Sequence, residues 1–477
     1  MTSLAFVGSP VRRRRLRAPR RGIIIVLTAL LLMFMIGVIA FAVDMGFIAN
    51  ARTEIQRATD AAAYAGAGEL VNGTGPATTA AQQYLVANKV GGNPLSAGNA
   101  TIEYGLWNIT NRTFTPTNTT PNAVRVTANA NQQPLFFAKA LGTSSFNIQS
   151  RSVATYQPRD ICLVLDYSRS MCFDSHFPNI DLLGRTNVEN SMKTIWQQLG
   201  SPTYGSLTWT PVGYGSSSTS NSSVRSHFGL NSVSYPFPGG SWNEYIDYVQ
   251  SDGDVNAAGY RNKYGMLTFI GYLQTYRAKY SDTPGLYSTS QQPLTALKDA
   301  VDVFLSFLTS NSTDDQVALS IYSASNGTAV LEQGLTKTYS LISTKVRGRQ
   351  AGHYTGGTNI EAGLEKGRIE VQNNARVGAK KMIILMTDGV PTLPSGNTNT
   401  NKQKVRDQAQ LCAAAKIPVI TICVGAEADT ALMAEVANMT GGVAFVVPGG
   451  QTVSQVQAQL EAVFSQVAAD RPLKLVQ

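Results

Sequence analysis

Apolar residues lie in one long run near the N terminus and in several short runs in the C-terminal half. The long run, Gly22–Val43, holds no charged residue over 22 positions, which is enough for a helix to cross a hydrocarbon core of about 30 Å. Short runs such as Ile161–Leu165 and Met382–Met386 are typical of fully buried strands in a parallel sheet. The pattern therefore predicts a membrane-spanning helix followed, much later in the chain, by an α/β domain.

Strand-like and helix-like segments alternate from residue 159 towards the C terminus. The predicted strands are Ile161–Leu165, Val317–Tyr322, Ala329–Leu335, Met382–Thr387, Pro418–Val424 and Val443–Val447. The predicted helices are Leu294–Leu308, Tyr339–Val346, Asn359–Val371, Lys402–Ala415, Thr430–Asn438 and Val453–Val467. Such alternation indicates a doubly wound, mostly parallel α/β sheet over residues 159–470.

Two further regions separate the apolar run from this domain. Residues 44–70 continue a helical pattern that is rich in alanine, and small residues of this kind permit close packing of a second helix. Residues 71–158 are rich in Asn, Thr and Gly. They hold a helical stretch and three strand-like runs, at Ala80–Val90, Ala100–Leu106, Ala123–Ala128 and Ser145–Tyr156. We expect a small α+β connecting module at 71–158.

Positive charge is concentrated at the N terminus. The formal net charge is +9, and no acid occurs within residues 1–21. That stub contains seven arginines, at Arg12, Arg13, Arg14, Arg15, Arg17, Arg20 and Arg21. A nucleic-acid-binding protein would carry such residues on a folded face, so we expect no nucleic-acid partner. The charge asymmetry instead predicts a single-pass membrane protein with a cytoplasmic stub at 1–21, a span at 22–43, and everything after Asp44 in the periplasm or at the cell surface.

Two other interpretations of the N terminus remain open. A cleaved secretory signal would use Ala40-Phe41-Ala42 as its cleavage site. The apolar run is longer than the roughly 7–15 residues of a signal core, which favours a retained anchor. Paired arginines also occur in twin-arginine export signals, although such pairs alone do little to identify a signal of this kind.

Polar oxygen donors follow the first buried strand of the α/β domain. Asp166, Ser168 and Ser170 come directly after Ile161–Leu165 and alternate along one loop. Ligands of open α/β sheets bind just outside the carboxyl ends of the strands, which is where this loop would lie. Three oxygen donors suit a hard cation such as Mg²⁺. Ser and Asp also occur at strand ends simply because they favour turns.

Two further loops offer oxygens to the same edge of the sheet. The run Met382–Met386 ends on Thr387-Asp388-Gly389, and Thr355-Gly356-Gly357-Thr358-Asn359 opens a predicted helix. With these loops the sequence resembles the von Willebrand factor type A domain, whose metal-ion-dependent adhesion site combines D-x-S-x-S, a Thr in a G-G-T-N loop and the Asp of a T-D-G strand end. The matching positions are Asp166, Ser168, Ser170, Thr358 and Asp388.

This resemblance implies a role for each residue. Ser168, Ser170 and Thr358 would hold the cation directly, and Asp166 and Asp388 would hold it through water. The cation would be Mg²⁺ or another divalent ion such as Mn²⁺ or Ca²⁺. One coordination position would remain for an acidic side chain supplied by a protein partner, since neutral hydroxyls leave the cation attractive to an external carboxylate.

A second resemblance covers roughly residues 20–70. Arg21-Gly22, the apolar span, Val43-Asp44-Met45-Gly46 and the segment Gln56–Ala67 are similar to the N-terminal segment of TadE/TadG-like proteins of Flp (tight adherence) pilus assembly. Prepilins of such systems place a Glu five residues after the cleaved Gly, and Leu27 occupies that position here. The resemblance therefore implies pilus assembly without indicating prepilin-type processing.

An insertion interrupts the α/β domain. The family runs from D-x-S-x-S directly into a helix, but the matching helix here begins at Leu294, so residues 171–290 are an insertion. It holds Trp196, Trp209 and Trp242 together with many Tyr, Ser, Gly and Asn residues. This mixture is typical of recognition surfaces, although the aromatics could also form the core of a small subdomain. We expect the insertion to border the metal site and to select the partner.

Catalysis is the alternative function. Asp166 at the end of a first parallel strand is also where phosphotransferases that resemble haloacid dehalogenases place a nucleophile. Those enzymes have a second Asp as general acid, and Ser168 occupies that position. The three histidines, His176, His227 and His353, form no recognisable metal pair or triad. A magnesium-dependent hydrolase using Asp166 therefore remains the second choice after a non-enzymatic binding protein.

Four cysteines complete the candidate chemistry. Cys162 and Cys423 lie in predicted buried strands, where they are small core residues, and no C-x-x-C indicates a zinc site. A bridge between Cys172 and Cys412 remains open for a domain outside the cytoplasm. The sequence thus predicts a TadG-like, membrane-anchored, metal-dependent protein-binding protein of Flp-type pilus biogenesis or surface attachment, acting with other pilus-assembly components.

Overall fold

The computed structural model describes residues 21–477, except 109–110, 120, 216–218, 312, 324–327, 355–356 and 377–378. The arginine-rich stub, apart from Arg21, therefore lies outside the described residues, as do Thr355 and Gly356. The chain folds as two compact units. One comprises residues up to Tyr104 with Val124–Ala154 and Leu475–Gln477, and the other comprises Gly105–Ala123 and Thr155–Lys474.

The first unit is built on a long helix. Helix α1 (Arg21–Glu69) continues without a break through both the apolar run and the alanine-rich segment, and α2 (Thr74–Ala87) follows it. Among the described residues, α1 is the one helix long and apolar enough to cross a membrane. Its apolar N-terminal part is exposed, whereas its alanine-rich part is packed against protein.

The small residues of α1 explain that packing. Ala51, Ala58 and Ala62 are completely buried. A Cβ atom placed on Gly66 would lie only 3.1 Å from the Cβ of Ala81 on α2. The two helices therefore approach closely because this face of α1 carries no bulky side chain, as the sequence pattern predicts.

Asp44, in the V-D-x-G motif, receives three backbone hydrogen bonds. Its carboxylate accepts from the N–H groups of Phe136 at 2.9 Å, Phe137 at 3.1 Å and Ala138 at 2.6 Å. A carboxylate with several backbone donors is a strong, charge-assisted tie. The motif thus has a structural role that its sequence did not reveal: it fastens α1 to the turn after residue 135.

Short strands make up the rest of this part of the chain. They are β1 (Lys89–Val90), β2 (Asn93–Pro94), β3 (Ala100–Asn108), β4 (Thr113–Pro116), β5 (Ala123–Pro134) and β6 (Ser145–Tyr156). Strand β4 pairs antiparallel with the end of β3 and was absent from the sequence prediction, because a four-residue edge strand carries too little alternation to detect. Alternating burial along β5 identifies one core-facing side.

The next strand, β7 (Arg159–Asp166), is buried at every position. A helical module follows it before the α/β alternation resumes. Its elements are α3 (Ile180–Leu183), α4 (Arg185–Gln198), β8 (Val212–Gly213), α5 (Asn221–His227), α6 (Trp242–Ser251), α7 (Gly253–Ala257), β9 (Lys263–Tyr264) and α8 (Met266–Tyr276). Many of its aromatics, including Trp242, Tyr245 and Tyr272, are buried in a hydrophobic core of its own. These buried aromatics therefore stabilise the module.

The remaining elements belong to the α/β frame, except the last strand, which joins a second sheet. They are α9 (Leu294–Ser310), β10 (Gln316–Tyr322), β11 (Val330–Thr336), α10 (Tyr339–Arg347), α11 (Ile360–Asn374), β12 (Lys380–Thr387), α12 (Thr398–Ala414), β13 (Val419–Val424), α13 (Thr430–Thr440), β14 (Ala444–Val447), α14 (Val453–Ala469) and β15 (Leu473–Leu475).

Six strands of the described chain form the sheet of this frame, in the order β11-β10-β7-β12-β13-β14. All neighbours are parallel except β10 and β11. Helices cover both faces, with separate hydrophobic cores on each side of β7. The predicted fold class, a doubly wound and mostly parallel α/β sheet, is confirmed. A second sheet has the strand order β15-β6-β5-β3-β4.

Candidate metal centre

The sheet topology brings two of the predicted site loops together. Strand β7 ends at Asp166, its direct neighbour β12 ends at Thr387, and the two strands are parallel. Their carboxyl ends therefore meet at the same edge, so Asp388 lies beside the loop that carries Ser168 and Ser170. That loop passes immediately into a 3₁₀ helix, Arg169–Ser175, which holds it compact.

Four of the five predicted residues form one hydrogen-bonded network. The backbone N–H of Ser168 donates to Asp166 Oδ1 at 2.8 Å, which closes the loop after β7. The hydroxyls of Ser168 and Ser170 are 2.9 Å apart, and Ser170 Oγ donates to Asp388 Oδ1 at 2.7 Å. Oxygen atoms from two strand ends thus converge on one place.

The fifth predicted residue, Thr358, is buried next to this edge but is held by other partners. Its N–H donates to Thr392 Oγ1 at 3.1 Å, and its carbonyl accepts from the N–H of Thr392 at 3.0 Å. Within the described residues its hydroxyl makes no hydrogen bond to the other four. Asn359 follows it and caps α11 by accepting from the N–H of Ala362. Thr358 therefore opens the helix as the sequence predicts, without joining the network.

Both carboxyl groups of the network are removed from water. Asp166 is completely buried and Asp388 is only 7 % exposed. Burial raises the pKa of Asp166, and burial together with the nearby Asp166 charge raises the pKa of Asp388 well above its usual range. In the part of the chain that the structure describes, no Lys, Arg or His forms an ion pair with either group. Two buried carboxyls without a cationic side chain are an arrangement that a divalent cation would stabilise.

The chemistry of the donors also fits such a cation. Carboxylate and hydroxyl oxygens surround the position, and hard cations such as Mg²⁺ and Ca²⁺ prefer oxygen ligands. Nitrogen and sulfur donors are lacking among the described residues of the network. Asp166, Ser168, Ser170 and Asp388 would therefore hold the ion.

Sequence reasoning missed several residues that shape the site. Thr387 Oγ1 donates to Asp166 Oδ2 at 2.9 Å, so the Thr of the T-D-G motif orients the first carboxylate. Asp174 and Glu427 line the opening together with Ser170 and Asp388. Burial and the nearby charge of Glu427 raise the pKa of Asp174, whose Oδ1 accepts from Asn179 Nδ2 at 2.7 Å. No motif marks these acids, because they come from the 3₁₀ helix after β7 and from the loop after β13.

The neighbouring histidine and cysteine side chains have structural surroundings. His176 Nε2 lies 2.9 Å from the carbonyl of Gly271 in the module core, and His176 makes no contact with Asp166 or Asp388. All four cysteines are buried and free. The Cys172–Cys412 bridge left open by the sequence is therefore absent from this fold, in which Cys172 of the 3₁₀ helix and Cys412 of α12 belong to two separate hydrophobic cores.

Three family models match the chain in consecutive parts. The model described as TadE/G-like Flp pilus-assembly matches residues 22–69, and the Tad-like Flp pilus-assembly model matches residues 65–154. The von Willebrand factor type A domain model matches residues 287–459. This last match omits β7 with Asp166, Ser168 and Ser170, which the structure nevertheless includes in the same sheet. No curated protein matches the chain.

Several solved structures are similar to parts of this chain at low identity. BatB from Bacteroides thetaiotaomicron is 16% identical with a TM-score of 0.28, over 37% of this chain and 90% of that one. The vWF domain of the type V pili tip protein Mfa5 from Porphyromonas gingivalis is 13% identical with a TM-score of 0.28, over 36% and 86%. A mutant of the PilB minor pilin from Streptococcus sanguinis is 12% identical with a TM-score of 0.36, over 79% and 87%. These similarities concern the fold alone.

The family models agree with the motifs in both order and position. Residues 22–154 carry the pilus-assembly segments, and the von Willebrand factor type A domain lies C-terminal to them. Such domains support a non-enzymatic role in adhesion or pilus assembly. The chain therefore combines a TadE/TadG-like Flp pilus-assembly segment with a C-terminal von Willebrand factor type A domain, as its sequence motifs predict.

Proposed function

We propose that the protein is a membrane-anchored, extracytoplasmic binding protein of Flp-type pilus biogenesis or surface attachment that grips its partner through a divalent cation. The observation that carries this proposal is the pair of buried carboxyls, Asp166 and Asp388, linked through serine hydroxyls and lacking a cationic side chain among the described residues. A cation at this position would offset their mutual repulsion and would itself be available for binding.

The cation would recognise an acidic group on a protein partner. Ser168, Ser170 and Thr358 are neutral donors, and Asp166 and Asp388 would contribute through water. A divalent ion held mainly by neutral hydroxyls retains affinity for an external carboxylate. Mg²⁺ suits this arrangement because it keeps several waters, one of which the partner's carboxylate would replace. Mn²⁺ and Ca²⁺ are the other candidates.

Alanine variants of the site test its metal dependence. In Asp166→Ala, and in Ser168→Ala combined with Ser170→Ala, we expect Mg²⁺ binding by the full chain to be lost in titration calorimetry. The fold should survive, because Asp166 is the last residue of β7 and Ser168 and Ser170 lie in the segment after it. A matched control is Ser288→Ala with Ser290→Ala, which has the same spacing and whose hydroxyls bond to Gly285 and Gln198 rather than to the network. Unchanged Mg²⁺ binding in the site variants would refute the assignment.

The biological role of the site is tested with the same variants in cells. When each variant replaces the native gene, we expect surface attachment and piliation to fall to the level of the deletion strain for the site variants only. Normal attachment with a protein that no longer binds Mg²⁺ would separate the biological role from the cation. Substrate turnover by the purified chain in a generic phosphatase screen with Mg²⁺ would instead favour the hydrolase alternative.

Topology is tested separately. A reporter that is active only outside the cytoplasm should be active when fused after Asp44, and the protein should stay in the membrane fraction through a high-salt wash. The span at 22–43 and the positive stub at 1–21 are the sequence features that support this orientation. A soluble, shortened protein would contradict the anchor.

The insertion provides a test of partner choice. Residues 171–290 begin just after Ser170 and end before α9. The module is therefore attached at the edge of the sheet where we propose that the cation binds. Replacement of residues 175–288 by a short Gly/Ser linker should retain Mg²⁺ binding but abolish attachment. A linker variant that binds Mg²⁺ and attaches normally would show that the insertion does not determine specificity.

A further inference from the structure

A cavity of about 430 Å³ lies within the helical module, apart from the metal centre. It is formed by the last turn of α5, by the irregular segment before α6 and by the first residues of α6. Most of its lining is polar, with Arg225, Asn231, Ser234, Ser241 and Asn243 around the ring of Tyr235. Ligand sites usually occupy cavities of roughly 300–1,000 Å³ with a few convergent polar groups.

Arg225 is the charged group of this cavity, and it has no internal partner. Its Nε atom is buried without a hydrogen bond, and within the described residues its guanidinium forms no ion pair. Arg225 is partly exposed, but this one N–H donor is shut off from water and lacks an acceptor among the described residues. Leaving such a donor unpaired is unfavourable, and an incoming anion would satisfy it.

The start of α6 adds to the positive potential. Ser241 caps the helix by accepting from the N–H of Glu244 at 3.2 Å, and the amino end of a helix favours negative charge. The two acids nearest along α6 are directed to other partners. Glu244 pairs with Arg277, and Asp247 accepts from Asn221 at 2.8 Å. No described acid therefore lines the cavity beside Arg225.

The remaining polar groups suit a hydroxylated ligand. In the part of the chain that the structure describes, the side chains of Asn231, Ser234 and Asn243 make no hydrogen bond. Amide and hydroxyl groups each donate and accept, as sugar hydroxyls do, whereas a bare anion would need donors alone. We propose that this cavity binds an acidic sugar, with Arg225 receiving its carboxylate and the amides and hydroxyls receiving its ring hydroxyls. This site is independent of the cation.

Binding of D-glucuronate to the full chain in detergent tests the proposal, with saturation-transfer NMR and calorimetry as readouts. We expect glucuronate to bind, and Arg225→Gln to weaken binding at least tenfold. Arg261→Gln, an exposed arginine of the same module that does not line the cavity, is the matched control and should change affinity less than twofold. Because Nε of Arg225 is buried, Asn243→Asp provides a second variant. It adds a negative charge at an exposed position and should also abolish binding without affecting folding.

Two competitors identify the class of ligand. D-Glucose, which lacks the carboxylate, should bind at least tenfold more weakly than glucuronate, and glutarate, which lacks the sugar hydroxyls, should also bind at least tenfold more weakly. Glutarate binding as tightly as glucuronate would overturn the sugar assignment and indicate an acidic peptide. Equal binding of glucuronate to wild type, Arg225→Gln and Asn243→Asp, or no binding to the folded wild type, would overturn the site itself.

Discussion

Buried charged groups are paired differently at the two ends of strand β7. At its amino end, Arg159 is completely buried and pairs with Asp315 at 2.9 Å, while Asp160 pairs with Arg376 at 2.6 Å. At its carboxyl end, Asp166 is equally buried but has only hydroxyl and backbone partners. The same strand thus carries paired charges at one end and, among the described residues, a buried carboxyl without a cationic partner at the other.

This difference separates a structural end from a functional end. Arg159 also donates to the carbonyls of Val467, Ala468 and Asp470, so its guanidinium fastens the end of α14 to the sheet. Asp315 accepts from Arg471 as well. The charged side chains there are thus paired with opposite charges. The carboxyl end has no such pairing among the described residues, and it is the end at which we propose that the cation binds.

Removal of the shared acid at the amino end should have the largest effect. In Asp315→Ala, Arg159 and Arg471 lose their acidic partner and keep only backbone carbonyls as acceptors, and breaking a buried pair costs about 3–5 kcal/mol. We expect hydrogen exchange in β7 and β10 to accelerate accordingly, with or without Mg²⁺. The partly exposed pair Arg185–Glu189 supplies the control, and Glu189→Ala should change exchange in these strands little. A loss below about 1 kcal/mol for Asp315→Ala would contradict the structural role of this end.

Acidification should have the second-largest effect, and it should act on the segment that follows the carboxyl end of β7. Burial lowers the pKa of His176 from 6.5 to about 4. As the pH falls, His176 therefore gains its proton in the unfolded chain before it does so in the folded chain. This contribution to stability is fully present above about pH 6.5 and is lost as the pH falls towards 4, by on the order of 3 kcal/mol. His176→Gln should flatten this part of the curve in thermal unfolding. The same slope in variant and wild type between pH 6.5 and 4 would assign the effect to other groups.

Withdrawal of the cation should affect only the carboxyl end. At a Mg²⁺ concentration 100-fold above its dissociation constant, binding adds about 2.7 kcal/mol to the stability of the domain. A chelator should remove this increment from the wild type and from Glu189→Ala, but Asp388→Asn should show no increment to lose. Thermal unfolding with and without Mg²⁺ measures it. An equal response of Asp388→Asn to Mg²⁺ would place the cation elsewhere.

Reduction should have the smallest effect. All four cysteines are free, and burial raises the pKa of both Cys172 and Cys412 to about 12, so neither thiol is reactive near neutral pH. A reducing agent should shift thermal unfolding by less than the equivalent of about 0.5 kcal/mol, as for an ordinary surface change. A clear drop in unfolding temperature upon reduction would indicate a bridge that this fold does not contain.

Much of the fold could be predicted because its signals are local. The apolar run of β7 and the alternation of strands and helices after residue 290 predicted the sheet. The D-x-S-x-S and T-D-G motifs marked the carboxyl ends of two strands, which are parallel neighbours in the structure. Periodicity also marked the helical face of α1 on which Ala51 and Ala58 are buried. These features depend on residues close together in sequence.

The rest depends on contacts between distant residues. Asp315 gives no sequence sign that it will meet Arg159 and Arg471, and Asp174 carries no motif. Thr358 matched its motif, yet its hydroxyl does not join the network, because a motif fixes the position of a loop along the chain but not its conformation. The aromatics of the insertion had the composition of a recognition surface, but their burial is decided by packing that composition cannot report.

The position of β7 also determines how the domain would carry mechanical load. A partner held at the cation would pull on the loop after Asp166 and therefore along β7, whose other end continues through the chain towards α1. Parallel neighbours, β10 and β12, flank β7 along its length. Tension along such a strand loads the hydrogen bonds on both sides together, in shear, whereas an edge strand can be peeled away bond by bond. Since resistance to force depends on the unfolding rate, attachment through this central strand favours long-lived adhesion under flow.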